Sequence, residues 1–192
     1  MKRIFRKSLT VMAVGALAVA TAGAQLAIVR SYSLAKESRI WFEGTSTVRS
    51  FKCSVPKVDA VIAGEANAAA SELVQSASLS IPVAQLECGN GMMNEHMRKA
   101  LKANENPQIT WKMTSYAIEG SNVAISGRLA IAGRENAIEL RGTGTAENGA
   151  LRFKGGKQIR MTDYGVKPPS LMLGTMKVAD PVTVSFDVLL NQ

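Results

Sequence analysis

The sequence has few of the side chains on which catalysis depends. Its 192 residues include one histidine, His96, and two cysteines, and aromatic residues make up only 5% of the chain. It contains no Gly-x-Ser-x-Gly nucleophile elbow and no Gly-x-Gly-x-x-Gly dinucleotide motif, and its carboxylates are scattered singly. Acid–base or hydrolytic chemistry needs positioned groups that act together. We therefore predict that the protein is not an enzyme, and no motif indicates a cofactor.

The N-terminus has the three parts of a secretory signal peptide. Four cations come first: Lys2, Arg3, Arg6 and Lys7. The apolar run that follows, residues 9–20, is short for a bilayer span, which needs about 20 residues. A small-x-small cleavage site follows at residues 22–24, with no cysteine that could carry a lipid. The sequence thus predicts a signal peptide over 1–24, a periplasmic mature chain and no stable membrane anchor after cleavage, although an uncleaved anchor is the alternative.

The charge balance does not suggest a nucleic-acid partner. The net charge of +8 includes the four cations of the predicted signal peptide. Without them the chain has 19 basic and 15 acidic residues, a net charge of +4. No stretch of the mature chain interleaves clustered Lys and Arg with aromatics, the pattern expected of a nucleic-acid surface. We therefore expect no nucleic-acid binding.

The two cysteines, Cys53 and Cys88, lie 35 residues apart. Export would place them in an oxidising compartment, where disulfides form and persist. A metal or redox site is the alternative, but such sites have more ligands at closer spacing. We predict a structural Cys53–Cys88 disulfide, which stabilises a small domain by about 2–4 kcal/mol.

Alternation of apolar and polar residues dominates the mature chain. It runs through residues 40–42, 77–83, 109–113, 123–131, 138–140 and 182–190. Because successive side chains of a strand point to opposite faces, these segments are predicted strands with one dry face. Turn residues at 119–122, 132–136 and 147–149 indicate an antiparallel meander. We assign 25–37 as a polar N-terminal lead-in and 38–192 as one all-β domain, whose dry face must be buried in a sandwich or a barrel.

One segment, residues 91–104, has helical periodicity. Its apolar stripe consists of Met92, Met93, His96, Met97, Ala100 and Leu101. Asn90 is a suitable N-cap, and Pro107 lies just beyond the far end. We predict one α-helix covering an open end of a barrel. Met93, His96 and Met97 on one face form a conceivable copper site, but methionine more often fills irregular core space. We therefore predict no metal site.

Four stretches in chain order resemble the YceI-like family. They are Gly-Thr-Ser-Thr-Val at 44–48 with its continuation to Cys53, Asn-Glu-His-Met-Arg at 94–98, Asn-Pro-Gln-Ile-Thr-Trp at 106–111, and the segment from Met161 to Asp180. The resemblance implies an eight-stranded, antiparallel, lipocalin-like barrel with one α-helix. It also implies that the interior holds a long apolar molecule, typically a polyisoprenoid or another lipid-like chain. The chain departs from the family in having Pro181 where an acidic residue is frequent, and only part of the family has the cysteine pair.

The inward apolar side chains of such a barrel are the predicted ligand-binding residues. They are Phe42, Leu79, Ile81, Trp111, Met113, Ile125, Leu129, Leu140, Phe153, Met161 and Phe186, with Met97 on the helix. The same side chains could instead fill a solid core. The sequence therefore leaves open a filled-barrel structural or stress-related interaction protein, and it also leaves a homodimer open.

Overall fold

The computed structural model describes residues 29–65, 74–147 and 150–191. The predicted signal peptide lies outside the described residues, as do Asn148 and Gly149 of the third predicted turn. Within the described ranges, no helix is both long enough and apolar enough to cross a membrane.

The described chain forms eleven strands and one α-helix. The strands are β1 (Val29–Leu34), β2 (Arg39–Ser46), β3 (Ser50–Ser54), β4 (Asp59–Glu65), β5 (Ser76–Pro82), β6 (Gln108–Glu119), β7 (Asn122–Ile131), β8 (Arg134–Glu147), β9 (Ala150–Arg160), β10 (Ser170–Leu171) and β11 (Met176–Asn191). The helix α1 spans Gly91–Ala100, and short 3₁₀ turns occupy Val83–Gln85, Met161–Tyr164 and Met172–Gly174.

Eight of the strands close into an antiparallel barrel, as predicted. The ring runs β1, β4, β5, β6, β7, β8, β9 and β11, and it closes where β11 pairs with β1 at Ser33↔Asn191 and Leu34↔Leu190. The long strand β11 has room for a second partner on the same edge, because β2 pairs with its residues 178–187 and β3 then pairs with β2. The edge of β11 that faces away from β9 therefore pairs with β1 near the C-terminal end of β11, which closes the ring, and with β2 of the β2–β3 hairpin over the preceding residues.

The barrel begins earlier in the chain than predicted. Residues 29–34, which the sequence analysis placed in a polar lead-in, form β1 and pair with β4 and β11. The lead-in assignment was wrong because this strand is short, with only Tyr32 and Leu34 as apolar inward side chains, and because its pairing with β11 joins residues far apart in the chain. Tyr32 is nonetheless buried and packs with Ile62 and Leu190.

The helix is shorter than predicted but begins at the expected residue. The side chain of Asn90 accepts a hydrogen bond from the Met93 amide at 3.0 Å, which confirms the N-cap. The helix ends at Ala100 rather than near residue 104, because Lys102 takes a left-handed conformation with φ of 52° that α-helix cannot continue through. Its predicted apolar stripe was wrong at Met92, which is exposed.

The predicted disulfide between Cys53 and Cys88 is present, with an S–S distance of 2.05 Å. It joins β3 to the segment before α1, and the antiparallel bridge Ser54↔Glu87 lies beside it. Asn94 of the helix is buried and accepts from the Cys88 amide at 2.6 Å, while its own Nδ2 donates to Glu87 at 2.7 Å. One turn of the helix is therefore attached to β3 by covalent and hydrogen-bonded links.

Candidate ligand cavity

The inside of the barrel is hollow. A large chamber of about 610 Å³ occupies the end closed by β1, and a small chamber of about 260 Å³ lies under the helix. Two buried clusters flank this space, one around Tyr32 and Leu190 and one around Ile159 and Tyr164. These clusters therefore form part of the chamber walls, the first beside the large chamber and the second beside the small one.

A ring of five apolar side chains separates the chambers. This waist consists of Ile40, Ile81, Leu129, Ile159 and Val184, which line both chambers. They come from five different strands, β2, β5, β7, β9 and β11. Because the same side chains line both chambers, the two chambers are adjacent and share this ring as their boundary.

All twelve residues predicted from the sequence lie on the walls of this space. Leu79, Trp111, Met113, Ile125, Leu140, Phe153 and Phe186 line the large chamber. Phe42, Met97 and Met161 line the small chamber, and Ile81 and Leu129 belong to the waist. Their inward position follows from the alternation of their strands, whereas their role in holding a ligand stays a prediction.

Many wall residues were not among the twelve, including Ile40, Ile159 and Val184 of the waist, and on two strands the sequence pattern itself was misleading. In β6 the register with β7 shifts between Met113 and Ser115, and this bulge places Tyr116 and Ile118 on the inner face. A bulge reverses the parity of everything after it, so a simple count of alternate residues fails there. In β9 the pattern is obscured by Gly155, Gly156 and Lys157, and Ile159 was overlooked for that reason.

The base of the small chamber is closed by buried side chains that follow β9. Tyr164 and Val166 are buried there and pack with Ile159 and Val182. Burial raises the pKa of the Tyr164 hydroxyl, and the neighbouring Asp163 carboxylate adds to the effect. The phenol is therefore neutral at physiological pH and acts as part of an apolar wall.

The charged groups of the wall are cationic. Arg49 lines the small chamber and Lys157 lines the large one, and no carboxylate lines either chamber in the described parts of the chain. Arg49 sits where the small chamber opens to solvent and donates from Nη2 to the Met93 sulfur at 3.7 Å. A ligand would thus meet apolar surface along its length and positive charge at two positions.

Lys157 reaches solvent through an unpaired seam in the wall. Strand β8 pairs with β7 over residues 134–143, but it pairs with β9 only from residue 141 onward. Residues 134–140 of β8 and 157–160 of β9 are therefore not paired with each other, and this gap is the seam; on its other side, β9 is paired with β11. The far side of the seam is closed by Asn136, which donates to the Asp163 carbonyl at 3.0 Å. Lys157 has the parity of the dry face, yet it is exposed, because the two strands have separated beside it.

A model of the YceI-like domain matches residues 32–190, most of the chain. The chain belongs to the YceI-like family. This finding confirms the resemblance on which the fold expectation partly rested. No curated protein sequence matches the chain.

Solved structures similar to this YceI-like protein share its fold at low identity. BcnA of Burkholderia cenocepacia is 22% identical with a TM-score of 0.69, over 81% of this chain and 97% of BcnA. The YCEI protein of Campylobacter jejuni is 19% identical with a TM-score of 0.62, over 73% of this chain and 84% of that one. A polyisoprenoid binding domain from Saccharophagus degradans is 14% identical with a TM-score of 0.59, over 86% and 99%. Identities this low establish a common barrel and nothing finer.

The helix of this YceI-like protein covers the end of the barrel over the small chamber. Met93, His96, Met97, Ala100 and Leu101 all line that chamber. The three residues of the conceivable copper site therefore share one face of the helix, with the Met93 sulfur already accepting from Arg49. Among the described residues there is no cluster of three or more His, Cys, Asp or Glu side chains that could hold a metal ion. Copper binding by the methionines stays an untested hypothesis.

Proposed function

We propose that this YceI-like protein binds a single long apolar chain, isoprenoid or lipid-like, along the axis of its barrel. The observation that carries the proposal is the pair of adjacent chambers, whose lining is predominantly apolar, with a few polar side chains and the two cations. The large chamber alone falls within the range of about 300–1,000 Å³ that is usual for ligand pockets. Two adjacent chambers that share a ring of wall residues suit a flexible chain better than a single compact ligand.

Burial of the chain would supply the binding free energy. Each CH₂ group moved from water to an apolar environment contributes about 0.8 kcal/mol. A chain extending through the waist into both chambers would therefore bind firmly with few polar contacts. The name of the Saccharophagus degradans domain, which the barrel resembles in fold, supports an isoprenoid as the first candidate.

The proposed setting is the periplasm, where the protein would carry or store its ligand without chemical change. The disulfide supports an oxidising compartment, and the predicted signal peptide supports export. In water, a long isoprenoid is insoluble unless its apolar surface is covered, and the walls of the barrel would cover most of that surface.

The decisive experiment is to identify what the protein holds. Protein purified without detergent is extracted with organic solvent, and the extract is analysed by mass spectrometry. Stripped protein is then offered a polyisoprenoid alcohol, and uptake is measured. We expect a co-purified lipid or stoichiometric uptake. Protein that contains no lipid and takes up none would refute the proposal and return the filled-barrel alternative, against which the hollow interior now counts.

A further inference from the structure

Three segments meet where the small chamber opens to solvent. Thr47, in the β2–β3 turn, donates from its hydroxyl to the Thr175 carbonyl at 2.9 Å, and its own amide donates to the Lys177 carbonyl at 3.0 Å. Arg49 of the same turn contacts Met93 near the start of the helix. Residues 46–49, 91–93 and 173–177 thus form one rim. Ser46, Arg49, Met93 and Met176 of this rim also line the small chamber.

Each segment of the rim carries one large apolar side chain that points into solvent. Val48 is 64% exposed, Met92 71% and Leu173 108%. These are three of the five large hydrophobic residues that are exposed in the described chain, and the other two, Val29 and Val61, lie on strands β1 and β4. Leu173 is held outward by a left-handed backbone with φ of 54°, a conformation that a branched apolar residue rarely adopts. Single exposed apolar residues are common, but three gathered on one rim form a patch that can contact a partner.

The charge of the rim is positive. It includes Arg49 and Lys177 and no carboxylate, and the next acidic residue along the helix is Glu95. Exposed apolar side chains interspersed with cations are the combination that binds an anionic lipid surface. The apolar side chains insert into the membrane interface, and the cations pair with the anionic headgroups. A protein partner would instead be expected to match a broader, more continuous apolar patch.

We propose that the rim docks the barrel onto an anionic bilayer, with the opening of the small chamber facing the lipid. The proposal rests on the proposed function, since a chain-binding barrel must obtain its ligand from a membrane or return it there. Docking in this orientation lets an apolar chain pass between the bilayer and the chamber without crossing water. Val48, Met92 and Leu173 are the inserted residues, and Arg49 and Lys177 give the preference for anionic headgroups.

The test is co-sedimentation of the full mature protein, with its disulfide intact, with vesicles of phosphatidylcholine with or without phosphatidylglycerol. The rim variant Val48→Ser/Met92→Ser/Leu173→Ser is compared with a control, Val29→Ser/Val61→Ser, which removes the other two exposed large hydrophobic side chains of the described chain. We expect wild type and control to bind anionic vesicles within about twofold of each other, and the rim variant to bind at least about tenfold more weakly. Arg49→Gln/Lys177→Gln should abolish the preference for phosphatidylglycerol.

Several outcomes would overturn the proposal. These are wild-type protein that does not bind anionic vesicles, a rim variant that binds as well as wild type, and a control that loses as much binding as the rim variant. Wild-type protein that self-associates through the rim in analytical ultracentrifugation, without binding vesicles, would make a second copy the occupant instead. Uptake of an isoprenoid alcohol added from ethanol is measured in parallel. Normal uptake without vesicle binding refutes the docking surface alone, whereas vesicle binding without uptake refutes the proposed function.

Discussion

Glycine residues let the backbones of β8 and β9 approach closely beside the open seam. Gly142 pairs with Gly155, next to the last paired step at Arg141↔Gly156. A Cβ added to Gly142 would lie 2.0 Å from the Lys154 carbonyl oxygen, and one added to Gly155 would lie 2.2 Å from that of Arg141. Both obstacles are backbone atoms, so no side chain can move aside to relieve the contact.

We predict that Gly142→Ala weakens the barrel at this point. The strands must separate to admit the methyl group, and forcing extra atoms into a packed site typically costs about 1–3 kcal/mol. Urea unfolding should show this loss in the free energy of unfolding. The matched control is Gly91→Ala, at the first helical residue, where an added Cβ meets nothing within 4 Å and alanine is the better helix former. Equal stability of the two variants would contradict the prediction.

The outer face of the barrel has one well-built ion pair. Asp187 accepts from Arg152 through both oxygens, at 2.8 and 2.9 Å, and Lys154 lies 3.2 Å away. The hydrogen bond from Arg152 is the main reason that the pKa of Asp187 lies below its usual value, with Lys154 adding to it and desolvation opposing it. A lowered pKa means that this pair stabilises the fold above the pKa of an unfolded aspartate. That stability is lost as the pH falls through the folded-state value.

We therefore predict a pH-dependent effect of Asp187→Asn. At pH 7 the variant should be less stable by up to about 1 kcal/mol, the upper range for partly exposed pairs. The difference should shrink below about pH 4, where an unfolded aspartate begins to take up its proton. Asp59→Asn is the control, because Asp59 and Lys57 are 3.9 Å apart and both are more than half exposed. A difference that persists unchanged at pH 2 would argue against the ion pair as its source.

At the level of elements, the two ends of the barrel are closed by different means. At one end β1 pairs with both β4 and β11. At the other end β2 pairs with β11, while the outer strand of the hairpin, β3, is joined to the segment before the helix by the Ser54↔Glu87 bridge and the Cys53–Cys88 disulfide. The disulfide therefore reinforces the short contact at the outer edge of β3, and through the bonds of Asn94 to Glu87 and Cys88 it also restrains the helix over the small chamber.

We predict that Cys53→Ala/Cys88→Ala lowers the free energy of unfolding by about 3 kcal/mol, the value expected for a loop of this length. Hydrogen exchange should accelerate first in α1 and the β2–β3 hairpin, while β6, β7 and β8 keep their protection, because those strands pair along their lengths. Uniform loss of protection would show that the bridge does not act locally. Two free thiols in the unreduced, unfolded wild-type protein would contradict the bridge itself.

At the level of the whole molecule, the proposed function makes the waist the feature that would limit how long a chain the barrel can hold. Val184 belongs to the waist, whereas Val188, four residues further along β11, lines the large chamber alone. Replacing each valine by the same larger residue should distinguish two effects on binding. A larger side chain at the waist would block passage between the chambers, whereas one in the large chamber would only reduce its volume. Each CH₂ kept out of the small chamber forgoes about 0.8 kcal/mol of binding.

We predict that Val184→Phe weakens the binding of long isoprenoid alcohols and leaves that of farnesol nearly unchanged. Val188→Phe should weaken both, because both chains occupy the large chamber. Dissociation constants from displacement of a fluorescent probe would measure the difference. If Val184→Phe weakened short and long chains by the same factor, the waist would not be a passage and the two chambers would be separate.

Local features of the fold were predictable because their causes are local. The N-cap at Asn90 depends on one side chain and the next turn, and alternation along β7 and β11 depends only on which residues are apolar. The alternation of apolar residues in the strands, and the helical periodicity around Met97, also sufficed to place all twelve predicted residues on the inner wall. By contrast, β1 was missed because its pairing with β11 joins residues more than 150 positions apart. Tyr116 was missed because a bulge in β6 shifted the register.

The sequence by itself determined the strands with one dry face, the helix that interrupts them, the cysteine pair and the family resemblance, since each is written in residue types at short spacing. Only the tertiary structure decided that the barrel is hollow. The same apolar residues fill a core or line a cavity according to strand number, tilt and stagger, which are properties of the closed ring. The tertiary structure also decided that Lys157 lies at an open seam, because the separation of β8 from β9 is not visible in any local sequence pattern. For the same reason, only the tertiary structure could show that Val48, Met92 and Leu173 share one rim, since they come from three segments far apart in the chain.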